Sequence, residues 1–284
     1  MFRKIAILLE MIKFEHTVFA LPFALMGAFL AANGVPRSAT FFWVVVAMVG
    51  ARTCAMGFNR IVDARFDREN PRTADRAIPA GAVRMGEAWT MVIAAGLLFF
   101  FACLQLNPLT LQLSPFALSL TLFYSLTKRF TWLCHVVLGL ALAFSPLGGY
   151  VAVLGSLAGF PWVLSLGVLF WVAGFDTVYA SMDADFDRQV GLFSLPARFG
   201  RQKAFRLAVF FHVVAFALFV ATGIVRQLNI FYYIGIILTA AALFYQHLIV
   251  NPRDLSRINM SFFTMNGLIS LTLFVVTWLS LVTG

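Results

Sequence analysis

The sequence predicts an all-α membrane protein: a single domain, residues 1–284, folded as a bundle of about nine transmembrane helices. Hydrophobic residues make up 61% of the chain and charged residues 12%, which is more apolar surface than a soluble core of this size can hide. The apolar runs are about 20 residues long and lack the period-two alternation of barrel strands, so they favour helices.

The apolar runs give the predicted helices in chain order. The predicted spans are 16–34, 40–62, 88–106, 109–127, 132–153, 160–182, 203–224, 229–250 and 261–282. Each is long enough to cross a hydrocarbon core of roughly 30 Å. Two extended connections remain, 64–87 and 183–202, and both fall on the same side of the membrane. Long loops in a compact bundle usually carry function, so we expect the functional residues there.

Charge predicts the orientation of the bundle. Of the 21 basic residues, 18 fall on the side of the amino terminus and of the two extended connections. The positive-inside rule then makes that side cytoplasmic and the carboxyl terminus external, as for a protein of the inner membrane. The basic residues are interleaved with membrane spans, which argues against nucleic-acid binding. Anionic lipid and a phosphorylated substrate are the expected partners.

Carboxylates are scarce, and eight of the twelve lie around two similar hexapeptides. The outer aspartates are Asp63 and Asp67 in the first and Asp183 and Asp187 in the second. A spacing of four residues stacks each pair on one helical face about 6 Å apart, where like charges repel unless a cation lies between them. Mg²⁺ suits such a site, because it favours carboxylate oxygens and completes its shell with water and phosphate.

The first hexapeptide lies in an arginine-rich setting. Asn59 precedes Asp63 by four residues, so Asn59, Asp63 and Asp67 can face one cavity. Five arginines between Arg60 and Arg76 surround this stripe, and arginine suits bidentate phosphate binding. Carboxylates for a metal and arginines for oxygens together favour a metal-bridged diphosphate. The alternative is a solvated charged loop that obeys the positive-inside rule.

The second hexapeptide extends an acidic stripe that begins inside the membrane. Asp176, Tyr179, Asp183 and Asp187 are spaced by three, four and four residues, so we expect them on one helical face, with Asp185 pointing elsewhere. Asp176 lies about two turns deeper than Asp183, where an ionisable residue is a functional candidate. A hydrogen bond between helices is the alternative for Asp176. Tyr179 is a candidate substrate contact.

Two further cations, Lys128 and Arg129, end the fourth predicted span on the same side. They are candidate phosphate contacts, with a topogenic charge pair as the alternative. Three motifs now stand together: Asn-x3-Asp-x3-Asp with a Pro-Arg-Thr-x2-Arg tail, Tyr-Ser-x2-Lys-Arg, and Asp-x2-Tyr-Ala-x2-Asp-x3-Asp. Over nearly the whole chain they resemble the UbiA superfamily of intramembrane aromatic prenyltransferases, and most of all its 4-hydroxybenzoate polyprenyltransferase branch. One departure is Ala77, where that family often has proline.

The resemblance implies a nine-helix bundle with a lateral opening to lipid, a Mg²⁺ cofactor, a polyprenyl diphosphate donor and a small aromatic acid acceptor. By the same resemblance, the residues that hold Mg²⁺ and diphosphate would be Asn59, Asp63, Asp67, Asp183 and Asp187. The residues that contact phosphate oxygens would be Arg72, Lys128 and Arg129. An electron-rich ring would attack the allylic cation, and Asp176 or Asp183 would take the ring proton.

The expected activity is therefore Mg²⁺-dependent prenylation of 4-hydroxybenzoate in ubiquinone or menaquinone biosynthesis. The segment from Lys13 to Pro22 looks like a subgroup that includes enzymes prenylating 1,4-dihydroxy-6-naphthoate, so that acceptor stays open. Haem-farnesylating relatives supply a third acceptor class. A cation-coupled secondary transporter is the alternative from another class, but transport sites lie near the bilayer midplane, whereas both aspartate pairs lie at span ends.

Overall fold

The computed structural model describes residues 7–8, 10–12 and 17–284. Within these ranges the chain is helical and forms no β-strand, apart from an isolated bridge between Asn251 and Asp254. The predicted all-α class is confirmed. Residues 13–16, where the predicted first span and the Lys13–Pro22 pattern begin, lie outside the described residues.

We number the described helices from Thr17 onward in chain order. They are α1 (Thr17–Ala32), α2 (Ser38–Glu69), α3 (Met85–Leu106), α4 (Pro108–Thr127), α5 (Cys134–Leu154), α6 (Trp162–Ala180), α7 (Ala184–Val190), α8 (Leu195–Phe199), α9 (Arg201–Val225), α10 (Ile230–Ile249) and α11 (Ile258–Thr283). Among the described residues, eight helices are long and apolar enough to cross a membrane: α2 to α6 and α9 to α11. With the shorter apolar α1, the predicted number of about nine holds.

Helix α2 runs seven residues beyond the predicted end of its span at residue 62. The added turns contain good helix formers, and Arg65 pairs with Glu69 at 3.4 Å across one turn. The helix ends where Asn70 turns to an extended backbone (φ −90°, ψ 117°) before Pro71, since proline disfavours a helical residue ahead of it. The first acidic motif is thus built on one continuous helix.

Close helix packing fixes the walls of the bundle. Helix α5 packs against α1, α4 and α6, while α2 pairs with α3 and α6 with α9. At the crossing of α1 and α5, a Cβ added to Gly149 would lie 1.9 Å from the carbonyl oxygen of Ala24, and one added to Gly27 equally close to that of Pro146. The two backbones therefore touch, as small residues allow between membrane helices.

Alternating chain direction brings the charged segments together at one end of the bundle. Helices α2, α4 and α6 end on the side where α3, α5 and α9 begin. The connections between them carry the second acidic motif and the Lys128–Arg129 element. Aromatic side chains fill the core on the α6 side, where Trp171 packs against Phe23 at a centroid distance of 5.1 Å. This packed region supports the charged end of the bundle.

Candidate active site

The first acidic motif lies on successive turns of α2, as predicted. Asp63 and Asp67 are buried, with 3% and 6% of their surface exposed. The Asn59 side chain donates to Asp63 at 3.2 Å. Burial of two carboxylates on one face requires partners, because an unpaired buried charge is costly.

Both oxygens of Asp63 are bound by the basic element that follows α4. Lys128 Nζ lies 2.6 Å from one oxygen and Arg129 Nη2 lies 3.0 Å from the other. Arg129 also donates to the carbonyl oxygens of Val62 and Ser125, each at 2.7 Å, which fixes its guanidinium between α2 and α4. The two predicted phosphate contacts therefore lie directly on the first motif.

Only one of the two carboxylate oxygens of Asp67 has a hydrogen-bond partner among the described residues. Arg76 Nη1 lies 2.7 Å from its Oδ1, and the Thr73 hydroxyl donates to its backbone carbonyl at 3.1 Å. Its Oδ2 is buried and has no hydrogen-bond partner within the described part of the chain. A buried carboxylate oxygen left open in this way suits a bound cation.

The predicted single helical face of the second motif is wrong. Helix α6 ends at Ala180, and Asp183 lies at the N-cap position of the separate short helix α7, without a side-chain capping bond, instead of continuing α6. The amide of Ser181 bonds to the carbonyl three residues back, which tightens the last turn, and Arg201 Nε donates to the Ser181 carbonyl at 3.0 Å. Asp176 and Tyr179 thus lie on α6, whereas Asp183 and Asp187 belong to a second element.

The expected separation of Asp185 holds, although by a different geometry. Its side chain is 61% exposed and pairs with Arg188 at 3.2 Å and Arg201 at 2.8 Å. These pairs direct Asp185 toward α9 and away from the first motif. It is a solvated surface carboxylate.

A two-pronged ion pair joins the two motifs. Arg72, from the connection after α2, donates through Nε to Asp183 Oδ1 at 2.8 Å and through Nη2 to the other oxygen. The Asn70 amide donates to the same carboxylate at 2.8 Å. Burial opposes ionisation of Asp183, but the hydrogen bonds and charge of Arg72 outweigh it and lower the pKa of Asp183. Tyr179 accepts from Arg72 at 3.4 Å, as a residue beside the phosphate contacts should.

Asp187 has a weaker set of partners. The Ser194 hydroxyl donates to it at 3.0 Å. Burial, together with the charge of Asp183, raises the pKa of Asp187 to about 6, against the opposing effects of Ser194 and Lys128. Because Lys128 also binds Asp63, its charge lies between the two motifs.

Asp176 is bound by a histidine instead of an arginine or lysine. Its Oδ2 lies 2.6 Å from His135 Nδ1, on α5. Asp176 is also within electrostatic range of Tyr124, and so are Asp63 and Arg52. Tyr124 therefore marks the junction between the acidic motifs and the interior of the bundle.

An apolar cavity of about 200 Å³ opens from this junction. It follows α4 from Tyr124 to Thr110, about 20 Å of helix, and is walled on its far side by α5. Its lining is almost entirely hydrophobic. Beside a few hydroxyl groups, such as those of Ser114 and Thr121, the lining includes one charged side chain among the described residues, that of Arg52. This side chain is half-buried, and its Nε has no hydrogen-bond partner in the described part of the chain.

Sequence reasoning missed several contacts. Arg52 was detectable as a charge inside an apolar span, which is a functional signal by default. His135 belongs to no motif in the sequence, and neither Asn70 nor Ser194 stands out from its loop. Their roles depend on pairings between distant segments, which spacing along one helix does not encode.

The candidate metal ligands fit Mg²⁺ as an open set. Among the described residues, no three His, Cys, Asp or Glu side chains converge closely enough to hold a metal by themselves. Instead Asn59, Asp63 and Asp67 lie on one side and Asp183 and Asp187 on the other, all with oxygen donors. Mg²⁺ typically takes one or two carboxylates and completes its octahedron with water and phosphate oxygens. This arrangement, with Asp67 Oδ2 unpartnered, suits a metal–diphosphate complex better than a lone ion.

Comparison with known proteins identifies the family of the chain. The profile of the UbiA prenyltransferase family matches residues 20–268. A protein of Shewanella woodyi named 4-hydroxybenzoate octaprenyltransferase is 32% identical over 230 residues, which cover 81% of this chain and 80% of the relative.

Solved structures share the fold. The apo structure of a UbiA homolog from Aeropyrum pernix K1 superposes with a TM-score of 0.85 at 37% identity, covering 92% of this chain and 96% of the homolog. A UbiA homolog from Archaeoglobus fulgidus, solved with DMAPP and Mg²⁺, gives a TM-score of 0.75 at 17% identity and covers 98% of this chain and 99% of its own. At that identity the second likeness concerns the fold alone.

Proposed function

Because the chain belongs to the UbiA prenyltransferase family and is an integral membrane prenyltransferase, we propose that it transfers a polyprenyl group from polyprenyl diphosphate to 4-hydroxybenzoate, in a Mg²⁺-dependent reaction of quinone biosynthesis. The observation that carries the proposal is the junction at Tyr124. There, two cation-bound acidic motifs meet an apolar cavity that contains a single arginine side chain, Arg52. The acidic motifs with their cations suit a diphosphate, the apolar cavity suits a prenyl chain, and Arg52 suits the carboxylate of an aromatic acid.

The diphosphate fits between the motifs. Four cationic side chains already lie on three carboxyl groups, those of Asp63, Asp67 and Asp183. The four cations are Arg72, Arg76, Lys128 and Arg129. Guanidinium groups bind phosphate oxygens in a bidentate manner, so exchange of carboxylate for phosphate keeps them paired. Mg²⁺, when bound by Asn59, Asp63, Asp67, Asp183 and Asp187, would supply the positive charge that stabilises the leaving diphosphate.

The prenyl chain fits the cavity along α4. An isoprenoid tail offers only apolar surface, and burial of that surface contributes roughly 25 cal/mol per Å². Residues such as Leu113, Phe116 and Leu118 line the path, and a longer tail would continue into lipid. A membrane-embedded enzyme is suited to such a donor, since the tail need never cross water.

The position of Arg52 is evidence that the acceptor carries a carboxylate. Its side chain lines the cavity about eleven residues, or roughly 16 Å, before Asp63 along α2, with Nε unpartnered. A carboxylate at this depth would form a charge-assisted pair that little water screens. The acceptor's ring would then lie between Arg52 and the diphosphate. The name of the Shewanella relative favours 4-hydroxybenzoate among acids of this kind.

The chemistry follows from this layout. The carbon–oxygen bond of the donor breaks, and its electron pair leaves on the diphosphate, which Arg72, Lys128 and Arg129 hold. The allylic cation is attacked by the ring carbon beside the hydroxyl, because the hydroxyl activates that position and the carboxylate occupies the one opposite. A protein base removes the proton of that carbon. The apolar walls keep out water, which would otherwise capture the cation as an alcohol.

A direct assay tests the proposal. Protein purified in detergent is incubated with Mg²⁺, a labelled polyprenyl diphosphate and, in parallel, 4-hydroxybenzoate or 1,4-dihydroxy-6-naphthoate, and the product mass is measured. We expect prenylated 4-hydroxybenzoate. Naphthoate as the preferred acceptor would correct the acceptor while retaining prenyl transfer. No product from either acid, with cation flux in proteoliposomes, would overturn the proposal in favour of transport.

The proposed orientation places the site on the cytoplasmic side. The basic residues concentrate at that end, as the positive-inside rule requires. Single cysteines introduced at Gly34 and at Asp75 into a cysteine-free background test this with a membrane-impermeant reagent on intact cells. Gly34 should be labelled from outside and Asp75 only after lysis, and the reverse pattern would refute the orientation.

A further inference from the structure

The pair formed by His135 and Asp176 has a defined proton arrangement. His135 Nε2 accepts a hydrogen bond from the backbone amide of Leu195 at 3.2 Å, so this nitrogen carries a lone pair and no hydrogen. The proton of the neutral ring must then be on Nδ1, which donates to Asp176 at 2.6 Å. One oxygen of Asp176 is therefore held by the N–H of a neutral ring.

The other candidate carboxylates are arranged differently. Both oxygens of Asp63 and both of Asp183 are bound by lysine or arginine side chains, so neither carboxylate has an oxygen without a cationic partner. Asp176 keeps one oxygen outside its His135 bond and is 23% exposed. Asp176 is also within electrostatic range of Tyr124, near which the acceptor ring would lie. Of the two candidate bases, Asp176 is thus better placed than Asp183 to accept the ring proton.

A short connector ties this pair to the rest of the site. The connector, Leu192 to Leu195, joins α7 to α8. Its Ser194 hydroxyl donates to Asp187, and the next amide, that of Leu195, holds His135. The Phe193 amide donates to the Lys128 carbonyl at 2.7 Å. The orientation of His135 is therefore fixed from the same segment that contacts the second acidic motif.

We propose that Asp176 is the base that takes the ring proton and that His135 is its positioning residue, with the histidine tautomer fixed by the Leu195 amide. This inference rests on the proposed prenyl transfer. After the prenyl carbon bonds to the ring, the free oxygen of Asp176 accepts the proton from that ring carbon, and the C–H electron pair restores aromaticity. Asp176 becomes a neutral acid, and the diphosphate has left with the electrons of the broken C–O bond.

The test measures the isotope effect of 4-hydroxybenzoate deuterated at both positions beside the hydroxyl. In the unaltered enzyme, breaking the C–O bond should limit turnover and the isotope effect on kcat should be near unity. His135→Leu should lower kcat by about tenfold to a hundredfold, with KM for both substrates little changed. Slow proton removal should then produce a primary isotope effect of about 2 or more, and Asp176→Asn should show it too.

Three variants separate positioning from structure. His135→Asn keeps a donor near the position of Nδ1 and should recover much of the lost kcat. His212→Leu removes another buried histidine, hydrogen-bonded to His247 and the Trp171 carbonyl, and should leave the isotope effect near unity. His135→Phe, which keeps the ring volume, replaces His135→Leu if that protein does not accumulate, with the same expectation.

The outcomes are distinguishable. Failure of the unaltered enzyme to prenylate either 4-hydroxybenzoate or 1,4-dihydroxy-6-naphthoate would overturn the proposed function itself. An active unaltered enzyme, with His135 variants that keep kcat or lose it without an isotope effect, would overturn the inference alone. A raised KM for the donor as the main effect would mean that His135 supports the diphosphate site through the connector, and would also overturn it.

Discussion

Arg72 and Asp183, 111 residues apart in the chain, form a two-pronged ion pair that holds the two acidic motifs against each other. Neither motif could form the site alone, because each supplies only some of the five oxygen-donor residues. The pair also takes its two partners from separate connections, one after α2 and one after α6. The site therefore exists only when both connections are folded.

The geometry of this pair gives the first prediction. Arg72→Lys retains the positive charge but loses the planar guanidinium that binds both carboxylate oxygens, so we expect kcat/KM to fall about tenfold. Arg72→Leu should lower kcat/KM further. Arg65→Leu is the matched control, since Arg65 is exposed and its one ion pair among the described residues is with Glu69. This variant should stay within about twofold of the unaltered enzyme. Equal activity of Arg72→Lys and the unaltered protein would contradict the role of the planar guanidinium.

The two motifs should act as one unit. Asp63→Asn and Asp183→Asn should each lower kcat/KM by at least about a hundredfold, and the double variant should be little worse than the poorer single one. Losing either acidic motif already leaves the negative charge of the departing diphosphate without its full compensation by metal. Asp185→Asn is the control, because Asp185 faces solvent, and it should cost far less. Strictly additive losses at equal protein abundance would argue for two independent sites.

Arg52 should govern recognition of the acceptor. Arg52→Leu should raise KM for 4-hydroxybenzoate by about a hundredfold while leaving KM for the donor nearly unchanged. The methyl ester of the acceptor, which lacks the negative charge, provides the matched substrate. The unaltered enzyme should prefer the acid strongly and Arg52→Leu should lose that preference, whereas an unchanged preference in the variant would place the carboxylate elsewhere.

Metal dependence should vary with pH through Asp187. EDTA should abolish activity and Mg²⁺ should restore it. Since the pKa of Asp187 is raised to about 6 before metal binds, protons compete with Mg²⁺ below that pH. Apparent Mg²⁺ affinity should be constant above about pH 7 and fall by up to about tenfold per pH unit below 6. Asp187→Asn should bind Mg²⁺ more weakly and lose this dependence. Equal affinity at pH 5 and pH 7.5 in the unaltered enzyme would contradict the assignment.

Adjacent glycines provide a test of the helix packing. Gly149→Ala introduces a Cβ against the Ala24 carbonyl and should destabilise the protein by about 1–3 kcal/mol through overpacking. A Cβ at Gly148 meets nothing within 4 Å, so Gly148→Ala should be neutral or slightly stabilising. Thermal unfolding in detergent compares the two, and equal Tm values would refute the close crossing of α1 and α5.

Local pattern predicted the part of the site that one helix builds. Asn59, Asp63 and Asp67 share a face because α2 continues unbroken, and spacing of four residues is sufficient to see it. The same reasoning failed for the second motif. At the turn after Ala180, the Ser181 carbonyl is bound by Arg201, twenty residues after Ser181, and periodicity holds no information about that contact.

The partners of the ion pairs could not be predicted from the sequence either. The abundance of arginines near the first motif indicated phosphate binding, but Arg72 binds the second motif, whereas Arg76 binds the first. The direction of Arg52 toward the cavity depends on the rotation of α2 within the bundle. Such facts follow from tertiary packing, and composition or spacing cannot supply them.

The balance of charge at the charged end of the bundle determines what form of substrate it accepts. The carboxyl groups of Asp63, Asp67, Asp183 and Asp187 face the cations of Arg72, Arg76, Lys128 and Arg129, so the region is close to electrically neutral by itself. A free metal ion would leave it with surplus positive charge, and a free diphosphate with surplus negative charge, in surroundings that solvate either poorly. A metal ion and a diphosphate that arrive together nearly cancel, so the enzyme should select the preformed salt of its donor over either component.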